Sequence, residues 1–310
     1  MRLVFMGTPE FANPSLQKLH QSSHQVVAVV TGQDKPFGRG RKEEPPPVKR
    51  LADKLSYPVL QPASLKDSRF QSHLTDMAVD LFVVVAFRIL PDALLLIPPR
   101  GAVNLHPSLL PRYRGAAPIQ HCLLAGDKIT GVTTIALTPQ VDAGDILLQR
   151  EHPIHPEDDF GSLSEKLADF GADMLVETLD GLEQGEIFPR PQAELATGES
   201  PIAPKIKPAD LVIRWDRPAK AIADQTRAFS PKPGAATFLD GRRLKLFAAT
   251  AISGEGEPGV MLGVSQGRLQ VGTGDGVLAV SEVQIEGRRR MTIDEFLRGT
   301  RIEPGSILGQ

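Results

Sequence analysis

The chain has one cysteine, Cys122, in 310 residues. That count excludes a disulfide framework and a Cys-rich zinc site. Tyrosine occurs twice and tryptophan once, so recognition of bases mainly by aromatic stacking is not expected. No apolar run reaches the ~18–20 residues that a membrane span needs. Met1–Gly7 offers too short an apolar stretch for a signal peptide, and a cytoplasmic location is the expectation. The chain also lacks a G-x-G-x-x-G turn between strand and helix, and it has no Walker-A sequence. Gly38-Arg39-Gly40 is no substitute, because it does not join a strand to a helix. Dinucleotide and ATP chemistry are therefore disfavoured.

What is present is globular. Apolar residues make up 41% and charged residues 23%, which suffices for a real core at this length. Length alone predicts two domains better than one. Proline, at 27, is abundant. The net charge of −2 is unevenly spread: residues 1–204 carry a net −6 and residues 205–310 a net +4. A mildly basic second part points to an anionic partner.

The first part alternates strands and helices. Arg2–Gly7, Val26–Thr31, Pro58–Leu60, Asp80–Ala86 and Ala102–His106 read as strands. Thr8–His20, Val48–Leu55, Asp67–Thr75 and Asp92–Leu96 read as helices. In Asp80–Ala86 the apolar run Leu81-Phe82-Val83-Val84-Val85 is unbroken, as in a parallel sheet covered on both faces. Strands Gly131–Leu137 and Ile146–Arg150 and an amphipathic helix Ser162–Gln184 follow. This alternation predicts a doubly wound, mostly parallel α/β sheet. Gly32–Pro47 reads as a long loop. Pro189–Pro208, with five prolines and no apolar period, reads as a linker. Beyond a helix Pro218–Phe229, short strands separated by Gly/Asp turns predict a small, OB-like β-barrel. The expected organisation is a catalytic domain over 1–188, a linker over 189–208 and a barrel over 209–310.

Ligands of open parallel sheets bind where strands end, so the residues after each strand matter most. Asn104 and His106 are two apart in a strand and project from one face. Asp142 lies in the turn Val141-Asp142-Ala143-Gly144-Asp145 after the neighbouring strand. No third ligand at suitable spacing accompanies His106 and Asp142, so a metal is not expected. Cys122 sits in an apolar helix without a base and reads as an inert core thiol. An Asn/His/Asp set with no candidate nucleophile suggests acyl or formyl transfer without a covalent enzyme adduct. The Asn amide can hydrogen-bond an oxyanion, the imidazole can relay a proton, and the carboxylate can support and orient the imidazolium. Spacing alone does not prove the triad.

The block Asn104-Leu105-His106-Pro107-Ser108-Leu109-Leu110-Pro111, with Arg114-Gly115-Ala116-Ala117-Pro118-Ile119 and the Asp142 turn, strongly resembles the folate-dependent formyltransferase superfamily. Three further features resemble the branch whose acceptor is an aminoacylated tRNA. They are Phe5-Met6-Gly7-Thr8-Pro9-Glu10-Phe11, the basic insertion Asp34–Lys42, and a second domain with Arg227-Ala228-Phe229 ahead of Pro231 and Pro233-Gly234. The resemblance implies transfer of a formyl group from N10-formyltetrahydrofolate to the amino group of methionyl initiator tRNA. It carries over Asn104, His106 and Asp142 as the catalytic set. Ser108, Leu109, Leu110 and Pro111 become folate-site residues, and Phe87, Arg88, Ile89 and Leu90 a loop around the pterin. Lys35, Arg39, Arg41 and Lys42 become contacts to the acceptor stem, and the barrel a second tRNA surface. No membrane is implied, and a monomer is expected. The chain departs from the pattern at Pro107, where many relatives of that branch have Gly, and at Lys232, where Trp is usual.

Two other readings stand beside this one. One is a formyltransferase acting on a sugar-nucleotide amine, which the basic insertion disfavours. The other is a noncatalytic RNA-binding protein, which the intact Asn104, His106 and Asp142 disfavour.

Overall fold

The computed structural model describes residues 1–37, 42–195, 198, 200–300 and 305–309. The chain forms two compact units, one over 1–115, 129–153 and 164–202, the other over 116–128, 154–163 and 203–310.

The first unit is built on a seven-stranded sheet. Its strands are β1 (Arg2–Gly7), β2 (Gln25–Val30), β3 (Val59–Leu60), β4 (Leu81–Val85), β5 (Ala102–His106), β6 (Ile129–Ala136) and β7 (Ile146–Pro153). Their order is β7-β6-β5-β4-β1-β2-β3. The first five strands in sequence pair in parallel, while β6 and β7 add an antiparallel edge beside β5. The expected mostly parallel α/β architecture is therefore present. The continuous apolar run of β4 is buried at all five positions, as a strand covered on both faces requires. On one face Val4, Met6, Val30, Phe82, Val84 and Leu94 form a single apolar cluster.

Two local expectations differ. Instead of one helix over Thr8–His20 there is a 3₁₀ turn, Glu10–Ala12, and then a helix, Asn13–Gln21. Pro14 lacks the N–H that would continue an α-helical ladder from Glu10, so the regular helix restarts around it. Within Gly32–Pro47, Lys35–Phe37 and Lys42–Glu44 pair as an antiparallel hairpin. Asp34, ahead of the hairpin, accepts bonds from Lys49 Nζ at 2.8 Å and Gln61 Nε2 at 2.7 Å. Those two donors hold its carboxyl below the usual carboxylate range.

The helix Phe160–Gln184 meets β5 at Gly171. At Gly171 a Cβ would stand 2.8 Å from Leu105 Cδ2. Glycine costs helix stability, about 1 kcal/mol relative to alanine, but here it lets the helix lie directly on the strand that carries Asn104 and His106.

In the second unit, Ala235–Leu239, Arg242–Ile252, Met261–Ser265, Arg268–Gly272 and Val277–Ile285 form an antiparallel sheet. Met291–Thr292 pairs onto the strand Val277–Ile285. Register shifts near Leu246 and Ala248 mark bulges in Arg242–Ile252, the device that bends strands in small β domains. The helix Ile293–Leu297 is absent from the sequence expectation. Its signal is the capping box Thr292-x-x-Glu295, in which Thr292 Oγ1 accepts from Glu295 N–H and Glu295 accepts from Thr292 N–H. Of the run Arg288-Arg289-Arg290, Arg289 pairs with Glu295 and Arg290 with Glu282. Among the described residues, no helix is long and apolar enough to cross a membrane.

Candidate active site

Parallel pairing on β4 and antiparallel pairing on β6 lock β5 inside the sheet. Asn104 and His106 therefore sit on a strand that cannot shift without breaking two ladders. Asn104 is 9% exposed and His106 4%. No other described group hydrogen-bonds the Asn104 side-chain amide, so its donors are available to a ligand.

The His106 ring is held from both sides. Its Nε2 lies 3.0 Å from the Tyr113 carbonyl oxygen. A carbonyl only accepts, so Nε2 carries the hydrogen and the neutral ring presents its Nδ1 lone pair. Nδ1 in turn faces Asp142 Oδ1 at 3.7 Å. Burial pushes the imidazole below its ordinary pKa. The Asp142 charge and the Tyr113 carbonyl oppose that shift without cancelling it. The resting ring is thus a neutral base with an anion waiting to stabilise its protonated form.

The backbone bends sharply to make this arrangement. Tyr113 has φ of +61° and Asp142 φ of +49°, conformations uncommon outside glycine that cluster at functional sites. Gly144 permits the Asp142 turn: a Cβ there would fall 1.8 Å from the Ala136 carbonyl oxygen, so no larger residue fits. The Gly115 N–H donates to Asp142 Oδ2 at 2.9 Å, which leaves Oδ1 for the imidazole. The three residues expected to be catalytic are thereby gathered on β5 and the loop after β6.

A buried base, an unengaged amide and a supporting carboxylate fit formyl transfer, and the comparisons with known proteins bear on that fit. Residues 1–179 match the family model described as formyl transferase, and residues 205–301 match that of the formyl transferase C-terminal domain. A methionyl-tRNA formyltransferase of Geobacter sulfurreducens is 45% identical over 100% of this chain and 97% of its own. That of Pelobacter propionicus is 47% identical over 99% and 96%.

The chain belongs to the methionyl-tRNA formyltransferase family.

Among solved structures, HypX from Aquifex aeolicus in complex with tetrahydrofolic acid superposes with a TM-score of 0.64 at 20% identity. The match covers 98% of this chain and 49% of that one, and at that identity the likeness is one of fold.

In this formyltransferase the Ser108–Pro111 segment is anchored from β6 and β7. Thr133 Oγ1 donates to the Ser108 carbonyl at 2.6 Å and accepts from Leu110 N–H at 3.2 Å. Gln149 Nε2 donates to the Leu110 carbonyl at 2.8 Å. Ser108 is buried, its hydroxyl donating to the Arg112 carbonyl, and Leu110 is buried against Ile135 and Ile146. Leu109 is half-buried and Pro111 buried. After β4, Leu90 is buried in the apolar cluster and Phe87 packs against it. Ile89 is exposed, and Arg88 donates to the Pro62 carbonyl at 3.1 Å while lying over the Phe87 ring. Thr133, Gln149 and the Tyr113 carbonyl had no sequence expectation; Thr133 and Ser108, for instance, are 25 residues apart, beyond any local pattern.

Of the residues expected to meet tRNA, Lys35 is exposed on the hairpin, where it pairs in register with Glu44. Lys42 lies on the opposite strand of the same hairpin. Arg39 and Arg41 lie outside the described residues. Among the described residues, a group suited to a metal is His24, Asp180 and Glu183. Glu183 there already accepts from the Met1 ammonium at 2.8 Å, and the group shares no residue with the Asn104, His106 and Asp142 set.

Proposed function

We propose that this enzyme takes the formyl group from N10-formyltetrahydrofolate and places it on the amino group of methionyl initiator tRNA. The observation that carries the chemistry is the buried His106 ring, fixed through Nε2–H with Nδ1 open beside Asp142. The acceptor is supported by relatives of that name at 45–47% identity over nearly the whole chain.

In this reading Asn104 donates to the formyl oxygen as the acceptor nitrogen adds to the formyl carbon and that oxygen becomes anionic. His106 Nδ1 accepts the proton released by the acceptor nitrogen. It then returns that proton to N10 as the carbon–N10 bond breaks, leaving tetrahydrofolate. Asp142 stabilises the imidazolium that exists between those two transfers. Imidazole and amide supply both functions, so no step is routed through a metal. The Ser108–Pro111 and Phe87–Leu90 segments hold the folate, and Lys35, Arg39, Arg41 and Lys42 meet the acceptor stem. One chain is the working unit, acting in the cytoplasm where initiator tRNA is charged.

The test is formylation by the purified protein of methionyl initiator tRNA, methionyl elongator tRNA and a sugar-nucleotide amine, each with N10-formyltetrahydrofolate. Product from the sugar amine alone overturns the acceptor. Converting Arg39 and Arg41 to alanine weakens use of the tRNA. It also flattens the salt dependence by ~1 unit of log–log slope for each phosphate no longer neutralised. Tetrahydrofolate affinity stays near wild type, because the folate segments lie on other loops. A salt series of tRNA kinetics beside a folate titration measures both. Unchanged tRNA constants and slope make the basic segment a solvated surface feature.

Asp142→Asn tests the electrostatics. Asp142 raises the His106 pKa, so removing its charge lowers that pKa further. The acid limb of the pH–rate profile, where the base is lost to protonation, therefore moves to lower pH while the plateau rate falls. Titration of the acceptor amine is common to both enzymes and drops out of the comparison. An acid limb that stays in place makes Asp142 a turn residue only.

A further inference from the structure

The start of the proline-rich segment, residues 190–195, is tied into the first unit next to the catalytic carboxylate. Arg190 exchanges two backbone hydrogen bonds with Ile146, the first residue after the Asp142 turn to enter β7, at 2.8 and 2.9 Å. Leu195 packs against Leu110, Ile135 and Ile146. Between these anchors lies Gln192, 4% exposed, in a 3₁₀ turn begun by Pro191.

Gln192 uses both ends of its amide. Nε2 donates to the Asp142 carbonyl at 2.8 Å and to the Gly144 carbonyl at 2.7 Å. Oε1 accepts from Arg114 Nε at 3.0 Å and Nη2 at 2.7 Å. Arg114 precedes Gly115, whose N–H holds Asp142 Oδ2. The bonds close a ring: Gln192 to the Asp142 backbone, the Asp142 carboxylate to Gly115, and Arg114 back to Gln192. The one carboxylate oxygen left outside the ring is Oδ1, which faces His106 Nδ1. An amide that donates two bonds and accepts two in a buried site has no hydrogen-bonding capacity to spare for substrate.

We infer that Gln192 is a positioning residue for catalysis, which sets the Asp142 carboxylate against His106 and makes the proline-rich turn after the helix Phe160–Gln184 part of the active site. The inference rests on the formyl-transfer reading above. It also explains how an aspartate at φ of +49° is held: two carbonyls of its turn are fastened to one side chain that is in turn fastened to a guanidinium. Losing that side chain takes the donor from a buried and a half-buried carbonyl and the acceptor from Arg114, and frees the turn to relax. A displacement of about 1 Å at a catalytic group costs on the order of 10²-fold in rate.

The charged group acting on His106 is Asp142, and the Tyr113 carbonyl is its other polar neighbour. A loosened Asp142 therefore acts on the pH profile in the same direction as its neutralisation. Gln192→Ala is expected to lower kcat on the order of 10²-fold, with little change in KM for tRNA or folate. It moves the acid limb to lower pH, as Asp142→Asn does. Added to Asp142→Asn it moves the limb no further, because the charge it positions is gone. Gln192→Met keeps length and bulk without any hydrogen bond, and decides the question if Gln192→Ala does not fold. Glu194→Ala, exposed on the same turn, keeps wild-type kcat and profile.

The wild-type enzyme is measured in parallel with methionyl initiator tRNA. Absence of formylation by wild type defeats the functional reading. An active wild type with variants at Gln192 that lose kcat but keep the acid limb in place reduces Gln192 to a structural residue. Wild-type kcat in a folded Gln192 variant, or a further shift in the double variant, also overturns the inference.

Discussion

Replacing His106 with alanine lowers turnover by ~10²–10⁴, the usual range for loss of a positioned general acid–base group. Burial leaves the ring neutral, and its Nε2–H is committed to Tyr113, so Nδ1 is the atom whose loss the rate reports. Tetrahydrofolate still binds, because the segments assigned to it are anchored by Thr133 and Gln149 and not by His106. Folate titration shows that the remaining protein is folded. Free imidazole, small enough to enter the space left by the side chain, restores part of the lost rate if proton transfer is the missing function. A folded variant with wild-type turnover removes His106 from the mechanism.

The pairing of Asn104 with His106 was legible because its geometry is local. Two residues apart on a strand means one face, and Asn104 and His106 needed nothing else to be paired. The parallel sheet was legible for a related reason: the unbroken apolar run Leu81–Val85 has no polar side to offer water, and all five residues are buried. Asp142 was legible only as a turn residue of suitable chemistry. Its distance to His106 depends on how the loop after β6 folds back, which Gly144 and its close approach to Ala136 decide.

What escaped the sequence is long-range and polar. Gln192 meets residues 48, 50 and 78 positions away. It sits among prolines, a composition shared by free linkers and by chain that is fixed by packing elsewhere. Proline restricts its own φ in both cases, so composition cannot separate them; the separating fact is which buried carbonyls lack donors until the fold is known. The hairpin Lys35–Phe37 with Lys42–Glu44 escaped for a different reason. Each strand is three residues long, too short to show alternation. The helix Ile293–Leu297 was within reach, since Thr292 and Glu295 stand at capping-box spacing.

Asn104→Ala is expected to cost ~10²–10³ in kcat, the range for removing one oxyanion donor. Asn104 lies on an interior strand paired on both sides, and its amide is not consumed by another described group. A donor held in this way needs no reorganisation when charge appears on the formyl oxygen. A neutral formyl oxygen gains less from it than an oxyanion does, so the effect falls on kcat and leaves the folate dissociation constant little changed. An amide does not titrate, so the acid limb set by His106 and Asp142 stays within the range of wild type. That separates the substitution from Asp142→Asn and from the variants at Gln192, which move the limb. Single-turnover rates at saturating tRNA across pH, beside equilibrium folate titration, make the distinction. A loss confined to folate affinity would make Asn104 a ground-state binding residue. A kcat equal to wild type would leave the oxyanion to another donor.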